Sequence, residues 1–255
     1  MSSRAEAFLR QPGARPFVLG HRGARHGAPE NTLCAFELAR SEGADGVELD
    51  VRLDGSGALI VLHDPTLERV SVERDPRHAE DVPSAELSKI DLGGGEHVPT
   101  LVDVLGWARQ HEMRVNIELK SDVRQRGLLL ERVRDVLQNA PLPRVILSSF
   151  DPRFVHWLGR ALPNLPRAWL VHRKQRILKY APGWRLLGDG VHFDHVLATA
   201  DRIASLHRVG GVVNVWTVND AGSARRLARD GVDGIISDRP GAILRALSAC
   251  EDANP

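Results

Sequence analysis

Gly46-Val47-Glu48-Leu49-Asp50-Val51-Arg52-Leu53, followed by Asp54-Gly55-Ser56-Gly57 and then Ala58-Leu59-Ile60-Val61-Leu62-His63, is the stretch on which the fold turns. In its first part apolar and polar residues alternate with period two, the signature of a β-strand. Val47, Leu49 and Val51 share one face; Glu48 and Asp50 share the other. A second stretch repeats the pattern: Val115, Ile117 and Leu119 face opposite Asn116, Glu118 and Lys120. If the apolar faces pack on helices, the acids point into the middle of the protein. Burying unpaired carboxylates costs several kcal/mol each, and three carboxylates outnumber the one lysine of these rows. A bound divalent metal is the sharpest resolution.

The connection after Leu53 is equally informative. A parallel crossover needs a dozen or more residues, whereas a short Asp-Gly turn makes an antiparallel hairpin. Ala58–His63 is therefore expected to be an extra strand folded back on Gly46–Leu53, with His63 opposite Glu48. The following Asp64–Val98 is polar, contains a Gly93-Gly94-Gly95 run, and is too long for an ordinary loop. The insertion is placed at about residues 58–98.

Outward from this stretch, strand patterns recur at Phe17–Gly20, Arg114–Leu119, Val145–Ser148, Ala168–Val171, Gly190–Phe193, Val212–Thr217 and Gly234–Ser237. Helical spacing separates most of them. Leu33, Phe36 and Ala39 share a face and stop at Gly43; Thr100 suits an N-cap for Leu101–Arg109; Leu129, Val133, Val136 and Leu137 share a face before Asn139. The run from Leu38 to Gly46 echoes that from Leu227 to Gly234, each a helix end, a glycine stop and a strand entry. Residues 173–190 carry no clear pattern. Eight strands with intervening helices, in 255 residues, predict an α/β chain folded as a single (β/α)8 TIM-type barrel domain, 1–255, with the insertion after the second barrel strand.

Composition excludes several classes. With 34 basic and 33 acidic residues, net charge +1, no nucleic-acid partner is expected. No apolar run approaches the ~20 residues of a membrane span, and the polar N-terminus lacks a signal-peptide core. The expectation is a cytoplasmic protein with no stable membrane anchor. Cys34 and Cys250 make neither a disulfide framework nor a CxxC site.

His21-Arg22-Gly23 follows the first strand, at the barrel end that carries active sites, and His63 ends a strand near the acids. Two histidines converging on a carboxylate cluster are candidate proton-transfer groups, whereas His26, His97, His111 and His207 read as ordinary structural residues. Arg22 offers a planar fork suited to phosphate oxygens. Lys120 continues the inward row of Asn116 and Glu118.

These residues belong to a longer series: His21-Arg22-Gly23, Pro29-Glu30-Asn31-Thr32, Val47-Glu48-Leu49-Asp50-Val51, Leu62-His63-Asp64, Pro99-Thr100-Leu101, Ile117-Glu118-Leu119-Lys120, Ser148-Ser149-Phe150, Trp216-Thr217-Val218-Asn219 and Gly234-Ile235-Ile236-Ser237-Asp238. In this order, over about residues 17–245, the chain resembles the glycerophosphodiester phosphodiesterases. It departs from their pattern within Leu67-Glu68-Arg69-Val70-Ser71, where the family commonly has Leu-x-Arg-Thr-Thr. The resemblance implies a barrel with an insertion after its second strand. It implies Ca²⁺ or Mg²⁺ at Glu48, Asp50 and Glu118, consistent with all-oxygen ligation. It implies His21 and His63 as general acid and base, and Arg22 and Lys120 on the phosphate. Trp216 and Phe150 would pack against glycerol carbons, and Glu30 would orient Arg22 or touch the metal shell. The implied reaction converts a small-molecule glycerophosphodiester to glycerol 3-phosphate and an alcohol through a cyclic 1,2-phosphate. The alternatives are a lysophospholipase D acting on lysolipids and, further off, a non-catalytic phosphate-binding barrel. The charged insertion argues for a soluble substrate, and no expected histidine or acid is missing.

Overall fold

Strands form where β-branched and apolar residues alternate with polar ones, and here each such stretch finds the next as its neighbour. The computed structural model describes residues 3–139, 144–175 and 187–251. Strands β1 (Phe17–His21), β2 (Gly46–Leu53), β3 (Leu59–Val61), β4 (Arg114–Leu119), β5 (Val145–Ser149), β6 (Arg167–Val171), β7 (Gly190–Asp194), β8 (Val212–Trp216) and β9 (Gly234–Ser237) run in the order β1-β9-β8-β7-β6-β5-β4-β2-β3. A further β1–β2 pairing closes the ring, with Leu19 level with Gly46 and His21 with Glu48. All ring pairings are parallel; only β3 is antiparallel, on β2. The result is a closed barrel of eight parallel strands with one strand appended.

Helices α1 (Leu33–Ser41), α2 (Ser84–Leu87), α3 (Leu101–Gln110), α4 (Arg126–Asn139), α5 (Pro152–Ala161), α6 (Ala200–His207), α7 (Ala221–Asp230) and α8 (Pro240–Glu251) follow the strands. The unpatterned stretch 173–190 falls largely on residues 176–186, outside the described residues. Thr100 caps α3 as its sequence predicts, in a full capping box with Asp103, and Thr32 caps α1. The echo also has a structural basis. Gly43 and Gly231 both end helices with positive φ, 88° and 96°, a conformation that L side chains rarely adopt.

Val47, Leu49, Val51, Val115, Ile117 and Leu119 are fully buried in one cluster with Phe36, Leu101, Leu105 and Val133. The outward strand faces thus pack on helices, which leaves the polar rows inside. The barrel's lower end is closed by the N-terminal segment: Ala5 and Phe8 of the turn Ser3–Phe8 pack on Ile146, Ala168 and Val212. Arg4 pairs with Asp189 and Arg114 donates to the Ala7 carbonyl to hold it there.

The hairpin forms with a register one step from that expected. Val51, Arg52 and Leu53 pair with Val61, Ile60 and Leu59, and the Leu62 N–H donates to the Asp50 carbonyl. His63 therefore lies level with Leu49, not Glu48, and falls just beyond β3. The insertion has a small core of its own, in which Ile60, Leu62, Leu67, Ala79, Val82, Leu87, Leu92 and Val98 are buried together. Its charged residues hide that core at the level of composition. Among the described residues no helix is long and apolar enough to cross a membrane. Cys34 is a free, exposed thiol.

Candidate active site

The inward row of β2 continues from Glu48 and Asp50 to Arg52, and all three are at most 5% exposed. Glu118 joins them from β4, whose register sets Asp50 level with Glu118. One ligand atom from each of Glu48, Asp50 and Glu118 lies within 4.8 Å of the others. Three buried carboxylates this close need positive charge.

Two cations supply part of it. Lys120 Nζ lies 2.7 Å from Glu118 and 3.2 Å from Asp50, and Arg22 Nε lies 3.2 Å from Asp50. Counting one lysine from the strand rows omits Arg22, which reaches in from the loop after β1. Two cations against three acids would leave one negative charge in excess. Glu48 resists carrying it: its carboxyl is pushed well above the usual range by burial and by Asp50 and Glu118, and burial pushes Glu118 up as well. Burial also pushes Asp50 upward, but Lys120 and Arg22 outweigh it and hold the group low. All-oxygen donors with excess charge fit a hard divalent cation. Asn31 steadies the trio, its Nδ2 donating to Asp50 at 2.9 Å.

Both candidate histidines are anchored alike. His21 Nδ1 is 2.7 Å from Asp238 Oδ1, and His63 Nδ1 is 2.6 Å from Asp64 Oδ1. A carboxylate at Nδ1 holds the proton there and leaves Nε2 for chemistry. Nε2 of His21 lies 4.0 Å from Glu48. Burial lowers both imidazoles, against the opposing pull of Asp238 on one and of Asp50 on the other. Asp238 and Asp64 were not singled out from sequence, although both end quoted motifs, each a conventional strand-end acid until its histidine is placed.

Glu30 resolves in favour of arginine. It accepts from Arg22 Nη1 at 2.8 Å, from Arg25 Nη1 at 3.2 Å and from Arg69 at 2.6 and 3.0 Å, and it is not part of the acid trio. Burial opposes its ionisation, but Arg69 and Arg22 bring it down to about 2. Arg52, another residue the sequence reading passed over, donates to the His63 carbonyl and to Asp122, both at 2.8 Å. It fastens the hairpin end to the loop after β4.

These groups surround a cavity of about 460 Å³ at the C-terminal ends of the strands. One wall is ionic: His21, Arg22, Arg25, His63, Asp64, Arg69 and Asp238. The other is largely apolar: Phe150, Leu170, Trp216 and Ile236. Phe150 and Trp216 meet edge to face at 5.4 Å, His172 stacks on Trp216, and Trp216 Nε1 donates to the His192 carbonyl. Lys120 sits beneath this cavity against the acids. The floor carries Asn116, fully buried, whose Oδ1 accepts from Ser148 while Nδ2 has no protein partner.

Residues 21–242 fit the model of the glycerophosphoryl diester phosphodiesterase family. The chain belongs to that family. A glycerophosphodiester phosphodiesterase of Bacillus altitudinis is 31% identical over 240 residues, covering 88% of this chain and 94% of that protein. The enzyme of the same name from Caldanaerobacter subterraneus is 29% identical over 241 residues, covering 91% and 98%. Among solved structures, an Oleispira antarctica phosphodiesterase in complex with the product sn-glycerol-3-phosphate superposes with a TM-score of 0.84 at 27% identity, covering 96% of this chain and 99% of that one. The Thermotoga maritima glycerophosphodiester phosphodiesterase gives 0.73 at 27%, covering 91% and 98%. Family membership makes the chain an enzyme, a glycerophosphodiester phosphodiesterase.

Proposed function

We propose that this phosphodiesterase hydrolyses soluble glycerophosphodiesters to glycerol 3-phosphate and an alcohol, with His21 and His63 as its proton-transfer pair. The observation that carries the reading is the matched anchoring of the two imidazoles, each with Nδ1 on a carboxylate and both lining one cavity beside the acid trio. Glu48, Asp50 and Glu118 would hold one hard divalent ion, Ca²⁺ or Mg²⁺. Such an ion would supply Lewis-acid charge for phosphoryl transfer.

The chain's own groups do the remaining work. One imidazole Nε2 accepts the proton of the glycerol 2-hydroxyl as its oxygen attacks phosphorus. The other donates a proton to the departing alcohol oxygen. The cyclic phosphate is then opened by water with the two roles exchanged. Positioned proton transfer of this kind contributes ~10²–10⁴-fold per group. Arg22 faces both the trio and the cavity, where its donors offset charge on the phosphate oxygens. Lys120 stays paired with Asp50 and Glu118, so it would act by setting the charge of the trio. Phe150 and Trp216 offer a flat apolar surface to glycerol carbons.

The deciding experiment compares glycerophosphocholine, its 2-deoxy analogue and lysophosphatidylcholine, each with Ca²⁺ or Mg²⁺ returned to stripped protein. The expected outcome is turnover of the first alone. Brisk hydrolysis of the deoxy diester would rule out attack by the 2-hydroxyl. Faster turnover of the lysolipid would make the enzyme a lysophospholipase D.

A further inference from the structure

Arg69 belongs to the insertion, far in sequence from the acids, yet it closes a chain of contacts across the ionic wall. Its two terminal nitrogens grip Glu30, at 3.0 and 2.6 Å. Its Nε donates to Asp64 Oδ2. Three of its five N–H donors, one on each guanidinium nitrogen, are therefore committed to protein carboxylates. Each acceptor is itself the anchor of a site residue. Glu30 holds Arg22 at 2.8 Å, and Asp64 holds His63 Nδ1 at 2.6 Å.

We propose that Arg69 is a positioning residue that locks Arg22 and His63 into one arrangement through Glu30 and Asp64. This rests on the function proposed above. The physical reason lies in how carboxylates choose partners. Asp64 adjoins His63 in sequence and is a quarter exposed, so without a second donor its carboxylate can turn away from the imidazole. Glu30 already carries Arg22 and Arg25. Freed from Arg69, it has room to follow either arginine and pull Arg22 off line. A planar fork with fixed donor geometry holds both carboxylates in a set orientation; a lysine, with its donors on one nitrogen at the end of a flexible stem, cannot reproduce the paired grip on Glu30 together with the Asp64 bond.

The same contacts make the insertion part of the active site. Its small core orients Arg69, and Arg69 carries that order across to the loop after β1. Because the guanidinium is nearly half exposed, its removal should leave the barrel standing.

The test is Arg69→Ala, with Arg69→Lys beside it. Arg69→Ala is expected to lose roughly ten- to a hundredfold in kcat while its metal-dependent rise in melting temperature keeps the wild-type size. Guanidinium ion at tens of millimolar should restore Arg69→Ala severalfold and leave His63→Ala unchanged, and Arg69→Lys should recover only part of the loss. A kcat within twofold of wild type, or no response to guanidinium, overturns the proposal. A crystal structure of Arg69→Ala judges it independently of turnover. Displaced Asp64 and Glu30 carboxylates with a turned His63 ring support it; all three in place refute it. Wild-type protein inactive on every diester would count against the proposed function, and the structural comparison would still decide the role of Arg69.

Discussion

Replacing Asp238 by Asn tests the reasoning about the histidines most sharply. Asn219 holds Asp238 from the far side: its Nδ2 donates to Oδ2 at 2.7 Å, while its Oδ1 accepts the Asp238 N–H at 2.9 Å. An asparagine at this position keeps its oxygen toward the Asn219 donor, so its NH₂ faces His21 Nδ1. The imidazole proton is then driven to Nε2, and the atom meant for chemistry can no longer accept. The imidazolium form suffers as well, because its counter-charge is gone. Burial pushes the Asp238 carboxyl up, yet His21, Asn219 and Arg25 bring it to about 2 from an ordinary 3.8. That shift corresponds to roughly 2 kcal/mol, reduced to about 1 kcal/mol for a carboxylate partly open to solvent. Lost charge stabilisation alone is thus worth less than about tenfold. The inverted tautomer adds the larger share, for a total of ~10²–10³ in kcat/KM. Steady-state kinetics on a glycerophosphodiester measures the loss, and ¹⁵N resonances of the His21 ring report the tautomer. A variant that keeps more than a third of wild-type kcat/KM, or whose His21 still carries its proton on Nδ1, would refute the argument.

Other outcomes follow from the same structure. Chelation should abolish activity, and saturating metal, at about a hundred times its dissociation constant, should add about 2.7 kcal/mol, or about 5–10 °C in melting temperature for a chain of this size. Glu118→Gln should weaken metal affinity in calorimetry; unchanged affinity would remove Glu118 from the metal site. Asp233 raises the His207 imidazole above its ordinary 6.5, against the opposing effect of burial. The folded state therefore binds that proton more tightly, so the pair stabilises fully below pH 6.5 and its contribution is lost as pH rises through the higher folded value. Unfolding of wild type and His207→Gln, compared at pH 5.5 and pH 8.5, should differ more at the lower pH, and the reverse pattern would refute it. Phe8→Ala, which empties the plug under the barrel, should cost about 3–5 kcal/mol in denaturant unfolding and leave KM unchanged.

Much of the architecture was legible because period-two alternation and helix caps are local signals. Strands predicted at Gly46–Leu53, Arg114–Leu119 and Gly234–Ser237 form with those bounds, and the short Asp-Gly turn announced the extra strand. The same alternation aimed Glu48, Asp50 and Glu118 inward, where the structure gathers them. What sequence could not display was pairing over long distances. Arg22 enters the acid cluster through a left-handed turn, with φ 56°, so the charge balance read from the strands alone was one cation short. Asp238 lies 217 positions from His21, and no local pattern links them. The hairpin register shifted by one because Asp54 accepts hydrogen bonds from Ser56 and Ala58 and so sets the turn. The insertion's core stayed hidden because its apolar residues are spread thinly among charges.

The division of the cavity into an ionic and an apolar wall also divides the chain. The groups of the ionic wall and the acid trio come from β1, β2, β4, the insertion and the acid after β9, whereas Phe150, Leu170 and Trp216 stand at the ends of β5, β6 and β8. Neither the acid trio nor His63 hydrogen-bonds to these apolar side chains, so their shape can change without disturbing the charges of the ionic wall. A library confined to positions 150, 170 and 216 would therefore vary what the pocket accepts while the reactive half stays as it is. Apart from β9, which brings Ile236 to the apolar wall and leads to Asp238, the fold keeps the two walls on separate strands, open to change one at a time.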